Sequence, residues 1–213
     1  KISPNKNSPR NHAIDTITIH CTAGNKDNTA RQIANLFSTA AIGASCNYAV
    51  GGDGSIALVV DENDRSWCTS SVANDHRAIT IEVASNIPGT EVNAKAYTAL
   101  INLVTDICKR NGINKLVWST DKNSRVNHLN GCNMTVHRDY ANKECPGEWL
   151  YSRLGELANT VTNRLKEKQN GYDLYRVQLG AFRDYDNAKR FLETVKNAGL
   201  PDAFISVVKD FYK

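Results

Sequence analysis

The chain has 213 residues, a formal net charge of +4 and an ordinary apolar content of 41%. This length allows one full domain and a small second one. The chain contains no apolar run of about 18 residues, which excludes a membrane-spanning helix, and residues 1–11 lack the apolar core of a signal peptide. The mild positive excess suits an anionic partner such as a cell wall, whereas the absence of a lysine or arginine run argues against nucleic acid.

Periodicity predicts most of the elements in the first 168 residues. In chain order they are a strand at 14–20, a helix after an N-cap at 27–29, a hairpin of 47–50 and 55–60, a strand at 78–83, a helix at 94–110, a short strand at 115–118 and a helix at 148–168. Residues 119–147 form a long polar stretch without strong periodicity. Loops of that length are usually functional or disordered.

The two longer strands each alternate between an apolar and a polar face. Ile19 lies on the apolar face of the first strand, and Thr18 and His20 lie on its polar face. Thr80 and Glu82 share the polar face of the strand at 78–83. We therefore expect both polar faces to open onto one cleft.

The composition changes after the helix at 148–168. Residues 166–171 are a candidate linker, and beyond them a strand at 175–181, a helix at 186–197 and a strand at 203–208 make one β-α-β unit. A unit this short buries little surface on its own. The sequence thus predicts a larger domain at 1–165, a linker at 166–171 and a small module at 172–213.

The six cysteines include no CxxC pair, which excludes a four-cysteine zinc finger, and we expect most of them to be buried thiols. Cys145 differs, because it lies eight residues after His137 in the polar stretch. With His20 as a third ligand, two imidazoles and one thiolate would bind zinc and leave one position open. His128 is a rival for the second ligand. A thiol protease built on Cys145 is a further alternative, disfavoured because Pro146 replaces a glycine-rich helix start.

Four motifs occur in a fixed order: Ile-Thr-Ile-His-Cys-Thr-Ala at 17–23, Asn-Tyr-Ala-Val at 47–50, Ala-Ile-Thr-Ile-Glu-Val at 78–83, and His-Arg-Asp with Lys-Glu-Cys-Pro-Gly within 137–147. Over residues 12–160 the chain resembles the zinc-dependent N-acetylmuramoyl-L-alanine amidases of the amidase-2 type. That family includes phage endolysins, bacterial autolysins and peptidoglycan recognition proteins. The resemblance implies an α/β fold with a mixed central β-sheet flanked by helices. It also implies Zn²⁺ as cofactor and cleavage of the amide bond between N-acetylmuramic acid and L-alanine.

The resemblance also assigns roles to individual residues. The metal ligands fall on His20, His137 and Cys145. Zinc would polarise the lactyl carbonyl and lower the pKa of its water to near 7. Three further residues receive catalytic roles: proton transfer from water to the leaving nitrogen for Glu82, stabilisation of the oxyanion for Lys143, and a hydrogen bond to the same oxygen or to the water for Tyr48.

The C-terminal motifs at 174–182, 187–188 and 198–200 resemble the start of a sporulation-related repeat (SPOR) domain, which binds peptidoglycan. Only one of its two β-α-β halves is visible, so a truncated module, half of a dimeric module and a reduced variant all stay open. The expected partner is bacterial peptidoglycan, with neither nucleic acid nor membrane. The resemblance fits an endolysin made in the cytoplasm without a signal peptide and acting at the wall after release. A non-catalytic peptidoglycan-binding protein and a zinc hydrolase of another amide remain alternatives.

Overall fold

A computed structural model describes residues 3–87, 89–167, 182, 184–200, 203 and 205. The chain divides into two compact units, Lys1–Gly171 and Tyr172–Lys213. The strands of the described residues are β1 Lys6–Asn7, β2 Thr16–Cys21, β3 Tyr48–Val50, β4 Ile56–Leu58, β5 Arg65–Ser66, β6 Ala78–Val83 and β7 Met134–Val136. The helices are α1 Ala30–Leu36, α2 Val72–Arg77, α3 Ala94–Arg110, α4 Lys122–Val126, α5 Gly147–Tyr151, α6 Leu154–Glu167 and α7 Tyr185–Asn197.

The first unit is organised around a five-stranded mixed sheet with the order β4-β3-β6-β2-β7. Strand β4 is antiparallel to β3, and the other neighbouring pairs are parallel. Strands β1 and β5 form a separate antiparallel pair. A mixed sheet flanked by helices was predicted from the sequence, and the structure confirms it.

One face of the sheet is covered by helices α3 and α6 and forms the larger core. Ile19 on β2 and Ile81 on β6 are fully buried there, as the two-residue alternation of these strands predicts. Helix α3 presents Leu100, Val104 and Ile107 to this core, a spacing that places all three on one helical face. The predicted bounds of α3 and β6 are confirmed to the residue.

The opposite face of the sheet is polar where β2, β6 and β7 lie side by side. The Thr18 and Thr135 hydroxyls are 2.7 Å apart, and the Asn74 amide of α2 donates to Thr18 and accepts from Thr135. All three residues are buried. Because buried polar groups are costly unless hydrogen-bonded, this network fixes α2 against the sheet beneath the site described below.

Two element predictions were wrong. Residues 115–118 do not form a strand, because the Val117 N–H donates to the Asn133 side chain at 2.7 Å instead of to a neighbouring strand. The single helix predicted at 148–168 is two helices, α5 and α6. The break follows from Ser152 and Arg153, whose side chains donate to the last carbonyls of α5, those of Glu148 and Trp149.

In the second unit, the predicted helix at 186–197 is confirmed as α7. Asp184 caps it by accepting the Asn187 N–H at 2.9 Å. The strand predicted at 175–181 lies outside the described residues, as does most of the strand predicted at 203–208. Among the helices of the described residues, none has the length and apolarity needed to cross a membrane.

Candidate metal centre

His20 and His137 lie at the carboxyl ends of two adjacent parallel strands. Ile19 and Val136 are paired across β2 and β7, so the next residue of each chain segment is a histidine. The two imidazole centroids are 5.0 Å apart. Open α/β sheets place their ligand sites at this edge, where the loops leave the strands.

Cys145 reaches the same point from the loop that follows β7. Its Sγ lies 3.5 Å from His20 Nδ1 and accepts the Cys21 N–H at 3.3 Å. The Arg138 N–H donates to the Cys145 carbonyl at 3.1 Å, which holds this loop against the turn that carries His137. Ligand atoms of His20, His137 and Cys145 all lie within 4.8 Å of one another. The structure therefore brings together the three predicted ligands.

A close approach of two glycines allows this loop to pack against the loop that follows β6. Gly147 has a φ of +78°, and a Cβ on it would lie 2.4 Å from the Gly89 carbonyl oxygen. Only glycine tolerates both the left-handed backbone and this contact. The glycine of the Cys-Pro-Gly motif is therefore required by the packing, independently of any role of the Cys145 sulfur.

Glu82 is the direct neighbour of His20 on the polar face, because the two residues are paired across β2 and β6. Its Oε1 lies 3.9 Å from His20 Nδ1, and only 14% of its side chain is exposed. Burial and the nearby Cys21 thiol raise the pKa of Glu82 well above its ordinary value. Oε2 has no hydrogen-bond partner among the described residues.

The two histidines are held in the form that binds metals. Burial, with the neighbouring His137, lowers the pKa of His20 to about 3. Burial and the Lys143 ammonium lower the pKa of His137. Both imidazoles are therefore neutral near pH 7, and a neutral imidazole has a free lone pair for a cation.

The Cys145 and Cys21 thiols affect each other's pKa. Their hydrogen bond, together with burial, raises the pKa of Cys145, and the same hydrogen bond lowers the pKa of Cys21 to about 7. A divalent cation at Cys145 would reverse this preference, because a coordinating thiol is deprotonated. Metal binding would therefore place the negative charge on Cys145.

The residues present fit a zinc ion. Two neutral imidazoles and a thiol are the donors that zinc prefers, and three protein ligands leave the open position of a catalytic site. His20 is fully buried, and its Nδ1 lies 3.5 Å from the Cys145 sulfur, a separation that two ligands of one ion can have. The charge of a cation would also offset the desolvation that raises the pKa of Glu82.

Lys143 and Tyr48 occupy different surroundings. Lys143 is exposed on the loop leading to Cys145 and is close enough to His137 to lower its pKa. Tyr48 is paired with Ile81, so its side chain lies on the face opposite Glu82 and packs against the larger core. Its hydroxyl donates to Glu62 at 2.8 Å. The structure does not bring Tyr48 to the cluster, because the residue of β3 that is paired with Glu82 is Ala49.

A buried ion pair that sequence reasoning missed fixes the turn carrying His137. Asp139 receives two hydrogen bonds from the Arg125 guanidinium and one from the Val136 N–H, and both charged side chains are at most 2% exposed. The His-Arg-Asp motif contained the aspartate, but nothing in the sequence linked it to Arg125. The rival ligand His128 hydrogen-bonds the Cys132 carbonyl through Nδ1 at 3.0 Å and is not part of the ligand group.

Comparison with known proteins agrees with this geometry. The sequence profile of the N-acetylmuramoyl-L-alanine amidases (Amidase_2) matches residues 10–148, which include all three candidate ligands. The chain belongs to this amidase family. The SPOR domain profile matches residues 148–207, a range that begins at α5. None of the curated proteins matches the chain.

Several solved structures resemble this amidase. PlyL is 18% identical, with a TM-score of 0.55 over 75% of this chain and 92% of its own. A mutant endolysin from Bacillus subtilis is 19% identical, with a TM-score of 0.55 over 76% and 96%. The hydrolase AmiA from Staphylococcus aureus, solved with its ligand, is 16% identical, with a TM-score of 0.55 over 80% and 82%. At these identities the likeness establishes the shared fold.

Proposed function

We propose that this amidase hydrolyses the amide bond between N-acetylmuramic acid and L-alanine in bacterial peptidoglycan with Zn²⁺ held by His20, His137 and Cys145. The convergence of their ligand atoms to within 4.8 Å is the observation that carries the proposal. When bound there, zinc supplies a Lewis acid for the lactyl carbonyl and lowers the pKa of water to near 7.

Glu82 is the proposed general acid and base. It lies beside His20, with 3.9 Å between Oε1 and Nδ1, on the polar face of the sheet. Because burial raises the pKa of its carboxyl group, Glu82 can hold the proton it takes from water and deliver it to the alanine nitrogen. A carboxylate in bulk water would lose that proton too readily at neutral pH.

Lys143 is proposed to stabilise the charge that develops on the carbonyl oxygen. Its exposed ammonium lies on the loop before Cys145, close to His137. A preorganised donor at a developing oxyanion is worth about 3–4 kcal/mol. Tyr48 is left out of the proposed set, because its hydroxyl lies on the other face of the sheet and donates to Glu62.

The reaction is tested by analysing what the protein releases from purified bacterial walls. The amidase proposal predicts new alanine amino termini without new reducing sugar ends, together with about one zinc per chain by elemental analysis. New reducing ends alone would identify a glycosidase instead. Wall binding without release of either group would favour the non-catalytic alternative.

We further propose that the region matching the SPOR profile holds the amidase on peptidoglycan and that the protein acts at the cell wall, in the manner of an endolysin. The proposed arrangement is a catalytic domain at 1–165, a linker at 166–171 and a module at 172–213. Co-sedimentation with insoluble peptidoglycan tests it. The full chain should sediment more completely than a chain ending at residue 171. Equal sedimentation of both would assign wall binding to the catalytic domain alone.

A further inference from the structure

His20 belongs to two groups of potential metal ligands. Besides the group with His137 and Cys145, His20 forms a second group with Cys68 and Glu82, whose ligand atoms also lie within 4.8 Å of one another. Within the described residues no third group of this kind occurs. The proposed reaction uses Glu82 but gives no role to Cys68.

The Cys68 thiol is held on the polar face of the sheet. The Cys68 N–H donates to Asp75 of α2 at 3.0 Å. Glu82 lies on the polar face of β6, next to His20 of β2. The Cys68 sulfur lies within 4.8 Å of ligand atoms of both residues.

A largely buried carboxylate oxygen at this point lacks a partner. Oε2 of Glu82 has no hydrogen bond among the residues described, and the neighbouring His20 is fully buried. Leaving such an oxygen unpaired in the protein interior is unfavourable. A cation beside the imidazole, the carboxylate and the thiol would be bound by the group types that accept zinc and related soft ions.

Geometry makes the two groups alternatives to each other. Nδ1 of His20 lies 3.5 Å from the Cys145 sulfur and 3.9 Å from the Glu82 carboxylate, so this nitrogen faces both sets. One lone pair binds one cation. A cation held by Nδ1 can therefore have the ligands of the first set or those of the second.

We propose that His20, Glu82 and Cys68 form a second, mutually exclusive position for a thiophilic divalent cation. In that position Glu82 is a ligand and no longer available as a base. That consequence rests on the proposed function. The second position itself is inferred only from the geometry of His20, Glu82 and Cys68. If it exists, the chain still binds a soft cation when Cys145 is removed.

The test uses Cd²⁺ with the full chain in a phosphine reductant, because cadmium bound to a thiolate absorbs in the ultraviolet. Cys145→Ser should bind about one equivalent of Cd²⁺ and keep part of this absorption, with native mass spectrometry counting the ions. Adding Cys68→Ser should remove the absorption. Adding Cys21→Ser or Cys108→Ser, which change other thiols, should leave it intact.

A second variant tests the same site without removing a second cysteine, in case the double cysteine variant does not fold. Glu82→Gln in the Cys145→Ser chain removes a carboxylate ligand and keeps its shape, so Cd²⁺ affinity should fall roughly tenfold or more. Circular dichroism and thermal unfolding without metal check that each variant is folded.

Three results overturn the inference. They are loss of all cadmium absorption in Cys145→Ser alone, survival of the absorption in Cys145→Ser/Cys68→Ser, and its loss in Cys145→Ser/Cys21→Ser. Wild-type chain that binds one ion, next to a Cys145→Ser chain that binds none, would overturn this inference and leave the proposed zinc site intact. Wild-type chain that binds no ion would overturn both.

Discussion

His20 and Glu82 are paired across the parallel strands β2 and β6, and 3.9 Å separates His20 Nδ1 from Glu82 Oε1. One register thus places a proposed metal ligand next to the proposed proton carrier. A shift of one residue would turn Glu82 to the apolar face, because side chains alternate along a strand. The proposed hydrolysis therefore requires that β2 and β6 pair in this register.

Glu82→Gln tests the proton-transfer role. The amide keeps the shape of the carboxyl group but cannot take a proton, so kcat for wall hydrolysis should fall by about 10²–10⁴. Zinc content should stay near one per chain, because the three proposed ligands are unchanged. Activity within about threefold of wild type would contradict this role, whereas loss of zinc would indicate that Glu82 is a ligand in the resting protein.

Cys145→Ser tests the sulfur ligand. We expect zinc affinity and lytic activity to fall by about a hundredfold or more, since even partners of metal ligands contribute about 10–100-fold. Competition with a chromophoric chelator measures the affinity. Cys108→Ala is the control, because it removes a buried thiol of α3 in the larger core, and it should keep both properties. Full activity of Cys145→Ser would show that the ligand assignment is wrong.

Asp139→Asn tests the buried ion pair beneath His137. Removing the charge leaves Arg125 buried and uncompensated, so the free energy of unfolding should fall by about 3–5 kcal/mol. Zinc affinity should fall as well, because the turn carrying His137 loses its support. Asp121→Asn makes the same chemical change at the exposed N-cap of α4 and should cost less than about 0.5 kcal/mol. Similar losses in both variants, measured by denaturant unfolding, would argue against the pair.

Tyr48→Phe tests whether Tyr48 takes part in catalysis, as the sequence predicts, or only stabilises the fold, as its position in the structure indicates. The hydroxyl donates to Glu62 on the face away from the metal site. Its loss should cost about 1 kcal/mol of stability and change kcat/KM by less than about twofold. A fall of a hundredfold at unchanged zinc content would restore Tyr48 to the catalytic set.

The metal-free protein should be most stable in weakly acidic solution. The lowered pKa of His20, about 3 against an ordinary 6.5, gives stability that is present above pH 6.5 and lost as the pH falls. The raised pKa of Glu82, against an ordinary 4.5, gives stability that is present below pH 4.5 and lost as the pH rises through the folded value. Between pH 4.5 and 6.5 the contributions of His20 and Glu82 have slopes of opposite sign.

Denaturant unfolding with a chelator, repeated across pH, measures this profile. Each group contributes a slope of at most about 1.4 kcal/mol per pH unit. Glu82→Gln should flatten the decline on the alkaline side and leave the acidic side, where His137 also contributes, unchanged. An unaltered alkaline slope in that variant would show that Glu82 is not the group responsible.

The sequence by itself determined the elements with strong periodicity and the chemical types at the site. Strand β6 and helix α3 follow from alternation and helical spacing alone, because each buries one regular face. The motifs around His20, His137 and Cys145 were sufficient to indicate the family. Within one strand, alternation also showed that Thr80 and Glu82 share a face.

Only the tertiary structure decided what depends on contacts between distant segments. Alternation fixes faces within a strand but not the register between strands, so the place of Tyr48 on the opposite face followed from its pairing with Ile81. The Arg125–Asp139 pair and the position of Cys68 beside Glu82 join segments with no shared sequence pattern. Such contacts are set by how the elements pack.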